Sequence, residues 1–208
     1  MPSEAVQIER RTGAQLRDVL DDLARLRVSV FRAFPYLYEG SAEYEADYLH
    51  TYLETPDSVA VLVRDGERVV GASTALPLRA ETAELRAPFE RGGYDVNEVF
   101  YLAESVLLPQ YRGRGLGVRF FEEREAHALA LGGFAFTAFC AVERPENHPR
   151  RPADFVPLDA FWRRRGYEKH PELSTTLSWP DLDEPAASPK PMTFWLKRLG
   201  GHGEGAAR

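Results

Sequence analysis

Apolar residues recur at three- and four-residue steps along Leu16, Val19, Leu20, Leu23, Leu26 and Val30, which predicts an amphipathic helix that Thr12 can cap. The helix stops before Pro35, and a second is expected over residues 41–54, where Tyr44, Tyr48 and Tyr52 share a face. The period then changes. Residues 58–63 and 68–72 are β-branched runs around Asp65-Gly66, the signature of a β-hairpin. A charged segment ending at Gly92-Gly93 predicts no element of its own. Downstream the pattern predicts a strand over 99–108, a helix over 115–131, a strand over 134–142 and a short helix over 158–165. Residues 5–9 are a short first strand, and 174–179 and 192–196 are the last two. Between those two, residues 181–191 carry prolines and acids and are expected to loop. Residues 1–199 are expected to form a single domain, and the glycine-rich residues 200–208 a flexible tail. No internal repeat is visible.

At 208 residues, with 44% hydrophobic and 12% aromatic side chains, the chain can bury a substantial core, which excludes the disordered and fibrous classes. Its formal charge of -6 lacks the basic surplus of a general nucleic-acid binder. Lys169, Lys190 and Lys197 are the only lysines, so arginine is the default cation here and by itself says little about anion binding. The longest uncharged stretch, 128–142, is interrupted by Gly132-Gly133 and falls short of the roughly 20 apolar residues that span a bilayer. Met1-Pro2-Ser3-Glu4 does not begin a secretory signal, so a cytoplasmic protein without membrane contact is expected. Cys140, the single cysteine, excludes an intramolecular disulfide, and the five histidines show no metal-ligand spacing, so no metal is expected.

The most informative segment is Leu107-Leu108-Pro109-Gln110-Tyr111-Arg112-Gly113-Arg114-Gly115-Leu116-Gly117, a strand running through a glycine-dense turn straight into a helix. Such a turn exposes helix N-terminal amides, whose dipole favours anions, and lets a diphosphate approach the backbone. It lacks the Gly-Lys-Ser/Thr of a Walker A loop, and Val118 stands where a dinucleotide fingerprint needs its third glycine. The segment resembles motif A of the GNAT superfamily of N-acetyltransferases, Arg/Gln-x-x-Gly-x-Gly/Ala, met by Arg112, Gly115 and Gly117. Phe161-Trp162-Arg163-Arg164-Arg165-Gly166-Tyr167 is similar to the family's motif B. The order of elements along almost the whole chain also agrees with that fold. The resemblance implies an α/β (α+β) architecture: a mixed, mostly antiparallel central sheet of about seven strands flanked by helices.

It further implies an enzyme that moves an acetyl group from acetyl-CoA to a primary amine by direct attack in a ternary complex. On this chain the amides from Gly113 through Arg114, Gly115, Leu116 and Gly117 to Val118 would cradle the coenzyme A pyrophosphate, with charge added by Arg112 and Arg114. Ser105, Val106 and Leu107 would hold the pantetheine arm and supply an oxyanion donor. Asn147 stands where the family often contacts that arm; the longer run from there to Trp162 is an insertion. An alkylamine is protonated at neutral pH, so a base is required. Glu104 is the first candidate, because it lies in the apolar strand Phe100-Tyr-Leu-Ala-Glu-Ser-Val-Leu-Leu, where burying a carboxylate is costly and makes it a better base. Glu143, at the end of the next strand, is the second candidate, and Glu98 the third. Trp162 occupies the place of the tyrosine that often protonates the departing thiolate in this family, and an indole can only donate a hydrogen bond. Cys140 lies in an apolar strand and is expected to be inert.

The loop after the first helix, with Tyr36 and Tyr38 among acids such as Glu43, Glu45 and Asp47, suits a cationic or amphipathic amine. The expected partner is therefore a small-molecule or protein amine, with no nucleic acid; a homodimer is also allowed. The alternatives are a non-catalytic acyl-CoA-binding module of the same fold and, more remotely, a nucleotide-binding α/β protein.

Overall fold

The computed structural model describes residues 6–200, so Ala5 of the first expected strand and 201–208 of the expected tail lie outside the described residues. Among the described residues one sheet is built from β1 (Gln7–Thr12), β2 (Val59–Asp65), β3 (Arg68–Pro77), β4 (Val99–Leu107), β5 (Phe136–Val142), β6 (Glu168–Trp179) and β7 (Ser188–Arg198). Their order is β1-β2-β3-β4-β5-β7-β6, and every neighbouring pair is antiparallel except β4 and β5. The helices are α1 (Leu20–Phe31), α2 (Ala42–Glu54), α3 (Ala83–Arg91), α4 (Leu116–Leu131) and α5 (Asp159–Arg163). Successive strand residues point to opposite faces, so β4 shows which helix covers which side. The Glu104 carboxylate meets Arg27 of α1, while the hydroxyl of Ser105 meets Arg124 of α4. The α1–α2 pair therefore covers one face and α4 the other.

Two irregularities in β4 shape the site. Thr74 of β3 pairs with Glu104 and Ala75 with Leu102, which leaves Ala103 as the extra residue of a bulge. In addition, β4 pairs with β5 only from Val99–Tyr101 to Phe136–Ala138, although the strands run on to Leu107 and Val142. Past Tyr101 they no longer pair, and β3 is the only strand paired with this part of β4 among the described residues. The buried guanidinium of Arg124 supports the bent strand from below. Its Nη1 donates to the carbonyls of Thr74 and Glu104 at 3.2 and 3.1 Å, its Nη2 to Ser105 Oγ at 3.0 Å and its Nε to Phe120 O at 3.0 Å. Burial lowers its pKa to about 10, which still leaves it charged at neutral pH.

Several boundaries differ from the sequence expectation. The periodic run begins in a 3-10 turn over Gly13–Val19 before α1 proper, and the Thr12 amide donates to Gln15 Oε1 at 3.1 Å. α3 lies inside the charged segment for which no element is expected; its Leu85, Pro88 and Phe89 are buried, and Phe89 meets Phe194 edge-on at 4.8 Å. α5 is shorter than the expected 158–165. β7 starts at Ser188, within the expected loop. Its paired register with β5 ends at Met192, with one further bond from Glu143 N to Pro191 O, so Pro189 and Pro191 lie past that ladder, where a missing N–H breaks no ladder bond.

The loop between α1 and α2 is tied down by Arg144, just beyond β5. Its Nε donates to Pro35 O at 2.7 Å and its Nη2 to Tyr36 O at 2.8 Å, and both Nη atoms bind the Asp181 carboxylate at 2.8 Å. Trp179 Nε1 adds a bond to Tyr36 O at 3.0 Å, and Leu182 N a bond to Leu37 O at 2.8 Å. Arg144→Ala is expected to cost about 2 kcal/mol in urea unfolding, because the carbonyls lose a charged donor while Lys190 still faces Asp181. Amide exchange at Leu182 is expected to accelerate with it; unchanged stability and exchange would show that the strap is redundant.

Candidate active site

The glycine turn is anchored from below. Leu108 N donates to Val70 O at 3.0 Å, and Tyr111, in the 3-10 turn Pro109–Tyr111, donates its hydroxyl to Asp65 at 2.5 Å. The chain then passes through Gly113 (φ 75) and Gly115 (φ 78), left-handed conformations that L side chains rarely adopt. No atom lies within 4 Å of where a Cβ would stand at either position. Among the described residues the amides of Gly113, Arg114, Gly115, Leu116 and Gly117 have no backbone acceptor, whereas Val118 N is taken by Gly115 O at 3.0 Å. The free amides thus end one residue earlier than the sequence reading. They stand at the positive end of the 16-residue α4. Arg112 and Arg114 are exposed; each spends one nitrogen on a nearby carbonyl, Leu107 O at 3.2 Å and Gln110 O at 3.1 Å, and keeps others free. Open space, bare amides and spare guanidinium donors fit a coenzyme A pyrophosphate.

The three residues of β4 assigned to the pantetheine arm differ in environment. Val106 is buried in the core, Leu107 is half-buried, and Ser105 is exposed with its hydroxyl on Arg124. Asn147 sits exposed at the tip of a turn closed by His148 N to Pro145 O at 3.1 Å, with no side-chain partner among the described residues. Beside α4, Arg164 and Arg165 line a hollow of about 210 Å³ together with Val118, Glu122 and Lys197.

At the bulge, Glu104 is 8% exposed. Its Oε2 accepts from Arg27 Nη1 at 2.6 Å and from Tyr48 OH at 3.1 Å, while its buried Oε1 has no partner among the described residues. Arg27 also binds Glu45 through Nε and lies 4.0 Å from the centroid of the Tyr48 ring. Burial works against the Arg27 charge, but Glu104, Tyr48 and Glu45 outweigh it and hold its pKa well above the ordinary value. The Tyr48 and Tyr52 hydroxyls are 3.0 Å apart, and burial drives both phenols well up, so they remain protonated. Glu81, just after the 3-10 turn that follows β3, completes the group. Burial pushes its carboxyl up to about 7, against the pull of the Thr82 amide, 3.3 Å away. Arg27, Tyr48, Tyr52 and Glu81 were not singled out as site residues in the sequence. Arg27 could have been, as a charge set within an apolar stripe beside Leu23 and Leu26.

The other candidates are scattered. Glu143 forms a half-exposed ion pair with Lys169 at 2.6 Å and donates its amide to Pro191 O, so it joins a different set of contacts from Glu104. Glu98 is exposed ahead of β4. Tyr36 packs on Phe31 at 4.7 Å and Trp179 at 6.0 Å; burial and the nearby Cys140 raise its phenol pKa. Tyr38 is 7% exposed and its phenol is raised by burial and by Glu45, which places it behind the loop surface. The Glu43 side chain lies outside the described residues. Trp162 packs between Phe139 at 5.0 Å and Trp195 at 5.1 Å. Cys140 meets the Tyr101 hydroxyl at 3.1 Å, and burial pushes its thiol up to about 12, consistent with inertness.

This strand, glycine turn and helix beside a split sheet define an acetyltransferase architecture. The chain belongs to the GNAT family: residues 21–153 match the Acetyltransferase (GNAT) family. A search of curated proteins returns no match. Among solved structures, Arabidopsis thaliana NAA60 in complex with acetyl-CoA is similar over 95% of this chain and 100% of its own, at 12% identity and a TM-score of 0.60. The ribosomal-protein-S18-alanine N-acetyltransferase from Escherichia coli covers 98% of this chain and 100% of its own at 11% identity and 0.58. An acetyltransferase from Thermus thermophilus covers 96% and 100% at 18% identity and 0.55. At these identities the likeness is one of fold. No described helix is long and apolar enough to cross a membrane.

The raised Glu81 carboxyl has a stability signature. Between the ordinary value of 4.5 and about 7 the folded chain keeps a proton that the unfolded chain has lost, so this contribution to stability falls as pH rises through that window. Glu81→Gln removes the dependence. The variant is expected to gain on the wild type by about 3 kcal/mol between pH 4.5 and 8. Denaturant titrations at the two pH values test this, and a pH-independent difference would contradict it.

Proposed function

We propose that the protein transfers an acetyl group from acetyl-CoA to a primary amine by direct attack within a ternary complex. The observation that carries this reading is the run of unpartnered amides from Gly113 to Gly117 at the head of α4, next to a strand that has parted from its neighbour. The amides, with Arg112 and Arg114, hold the pyrophosphate, while the edge of β4 around Ser105, Val106 and Leu107 that β5 leaves unpaired aligns the arm. Asn147 is assigned to the same arm. Acetyl-CoA supplies the activated acyl carbon and a thiol leaving group. A main-chain N–H of β4 aimed at the carbonyl oxygen contributes about 3 kcal/mol of transition-state stabilisation.

Glu104 takes the amine proton on Oε1, the oxygen that has no partner, while Arg27 and Tyr48 fix the carboxylate through Oε2. Glu143 stands as the second carboxylate of the site, held on Lys169. Tyr36, on the loop that Arg144 straps down, lines the approach, with Tyr38 supporting it from behind, and the acidic surroundings favour a cationic amine. Trp162 cannot act as a general acid, so the α4 dipole and the turn amides carry the departing thiolate's charge. Trp162 is also the one observation that favours a second reading, an acyl-CoA-binding module without turnover.

Thermal unfolding with acetyl-CoA, coenzyme A, ATP and NAD tests the assignment. A ligand at about 100 times its dissociation constant adds roughly 2.7 kcal/mol, a midpoint rise of a few degrees. The rise is expected with the two coenzyme A species and not with ATP or NAD, and is expected to vanish in Gly115→Asp, whose carboxylate would enter the anion cradle. A larger shift with ATP or NAD, or none with coenzyme A, would overturn the assignment.

A further inference from the structure

The glycine turn accounts for the middle of the donor and leaves its far end without a place. A pyrophosphate at the Gly113–Gly117 amides has two substituents, and the β4 edge takes the pantetheine arm, so the nucleoside has to leave on the other side. The hollow beside α4 begins there. It has a volume of about 210 Å³ and follows one face of α4, Val118, Phe121, Glu122 and Glu125, for about 10 Å from the first turn. Its opposite wall is formed by Arg164 and Arg165, where the chain leaves α5, and by Lys197 of β7. The two walls meet at Gly117, where a Cβ would stand 3.4 Å from Phe161 Cζ, so α5 lies close against the head of α4.

Charge in the hollow is unevenly matched. Glu125 accepts from Lys197 Nζ at 2.7 Å and from Tyr167 OH at 2.8 Å, and Glu122 pairs with Arg119 at 3.5 Å. Arg164 and Arg165 meet no carboxylate or other acceptor among the described residues. The half-buried Arg165 lies over the Phe161 ring at 4.9 Å, which holds it at the wall and leaves its N–H groups free, while Arg164 is exposed. Two adjacent unmatched cations beside a cavity attract an anion. A guanidinium pair suits a phosphate monoester, which is close to doubly charged at neutral pH and accepts bidentate bonds. The donor carries such a group, because the adenosine of coenzyme A bears a phosphate on its 3′ oxygen. We propose that Arg164 and Arg165 bind this 3′-phosphate and thereby make the protein specific for the whole coenzyme A thioester over an acyl group carried on phosphopantetheine alone. Val118 and Phe121 give the nucleoside an apolar floor.

This inference rests on the proposed transferase reading, and its test separates the two. The full chain is titrated calorimetrically with coenzyme A, 3′-dephospho-coenzyme A and 4′-phosphopantetheine. Coenzyme A is expected to bind about tenfold or more tightly than the dephospho form, and phosphopantetheine more weakly than coenzyme A by at least the same factor. In the double variant Arg164→Gln, Arg165→Gln the affinity for coenzyme A is expected to fall to that of the dephospho form, whose own affinity stays within about twofold of the wild-type value. Arg164 is exposed, so Arg164→Gln alone, with an expected loss of about threefold or more for coenzyme A only, decides the matter if the double variant does not fold. Arg163→Gln is the control: that guanidinium lies over Trp195 at 5.5 Å, and its removal is expected to change neither affinity. Equal binding of coenzyme A and its dephospho form by the wild type, or a loss in the arginine variants that is the same for both, overturns the proposal and leaves the transferase reading standing. Phosphopantetheine binding as tight as that of coenzyme A does the same. Binding of none of the three overturns the proposal and the transferase reading together.

Discussion

Everything at the centre of the molecule depends on one buried cation. Arg27 stands on the sheet-facing side of α1 and takes Glu45 of α2 and Glu104 of β4 at once, so a single guanidinium fixes two helices to the central strand. Charges out of water are costly, and such a group is tolerated only when its donors are met. Here Nε and Nη1 meet carboxylates and the plane lies over the Tyr48 ring. Removal of either acid would leave Arg27 under-compensated in the core, whereas removal of the cation would leave two carboxylates facing each other.

The strand beneath is shaped for the same purpose. Ala103 bulges, Arg124 satisfies the carbonyls that the bulge disturbs, and β4 turns away from β5. A single strand thus carries, among the described residues, a carboxylate with one unpartnered oxygen at its bend, an edge that β5 leaves unpaired and, past its end, a helix terminus with bare amides. The Glu104 carboxylate and the bare amides follow one another along the chain, from β4 through the glycine turn to the head of α4. The Tyr36 loop is a separate piece, strapped to the β6–β7 turn by Arg144 and Trp179.

Much of this was legible in the sequence. The order of elements and the glycine turn follow from patterns that repeat locally, at periods of two or 3.6 or at fixed glycine spacing. Glu104 was legible for the same reason, as a charge interrupting an apolar strand. Residues whose role depends on distant contacts were not. Glu81 follows a short 3-10 turn and reads as one more acid in a charged segment; only the packing of α2 and β4 around it makes it unusual. Arg124 and Arg144 are hidden by an arginine-rich composition. α3 is hard to read because its apolar positions are few and one of them is Pro88, and the N-terminal part of β7 because its prolines are compatible with a strand only past the end of the β5 ladder.

In the proposed reaction, Oε1 of Glu104 draws a proton from an amine held beside acetyl-CoA. It is tested most directly by thiol release from acetyl-CoA with tyramine, spermidine and a peptide bearing a free N-terminus, comparing the wild type with Glu104→Gln. Release is expected with at least one of the amines, with a fall of about a hundredfold or more in the variant and the same stabilisation of both proteins by coenzyme A. Release at an undiminished rate in Glu104→Gln, or no release with any of the three from a protein that binds coenzyme A, would contradict it.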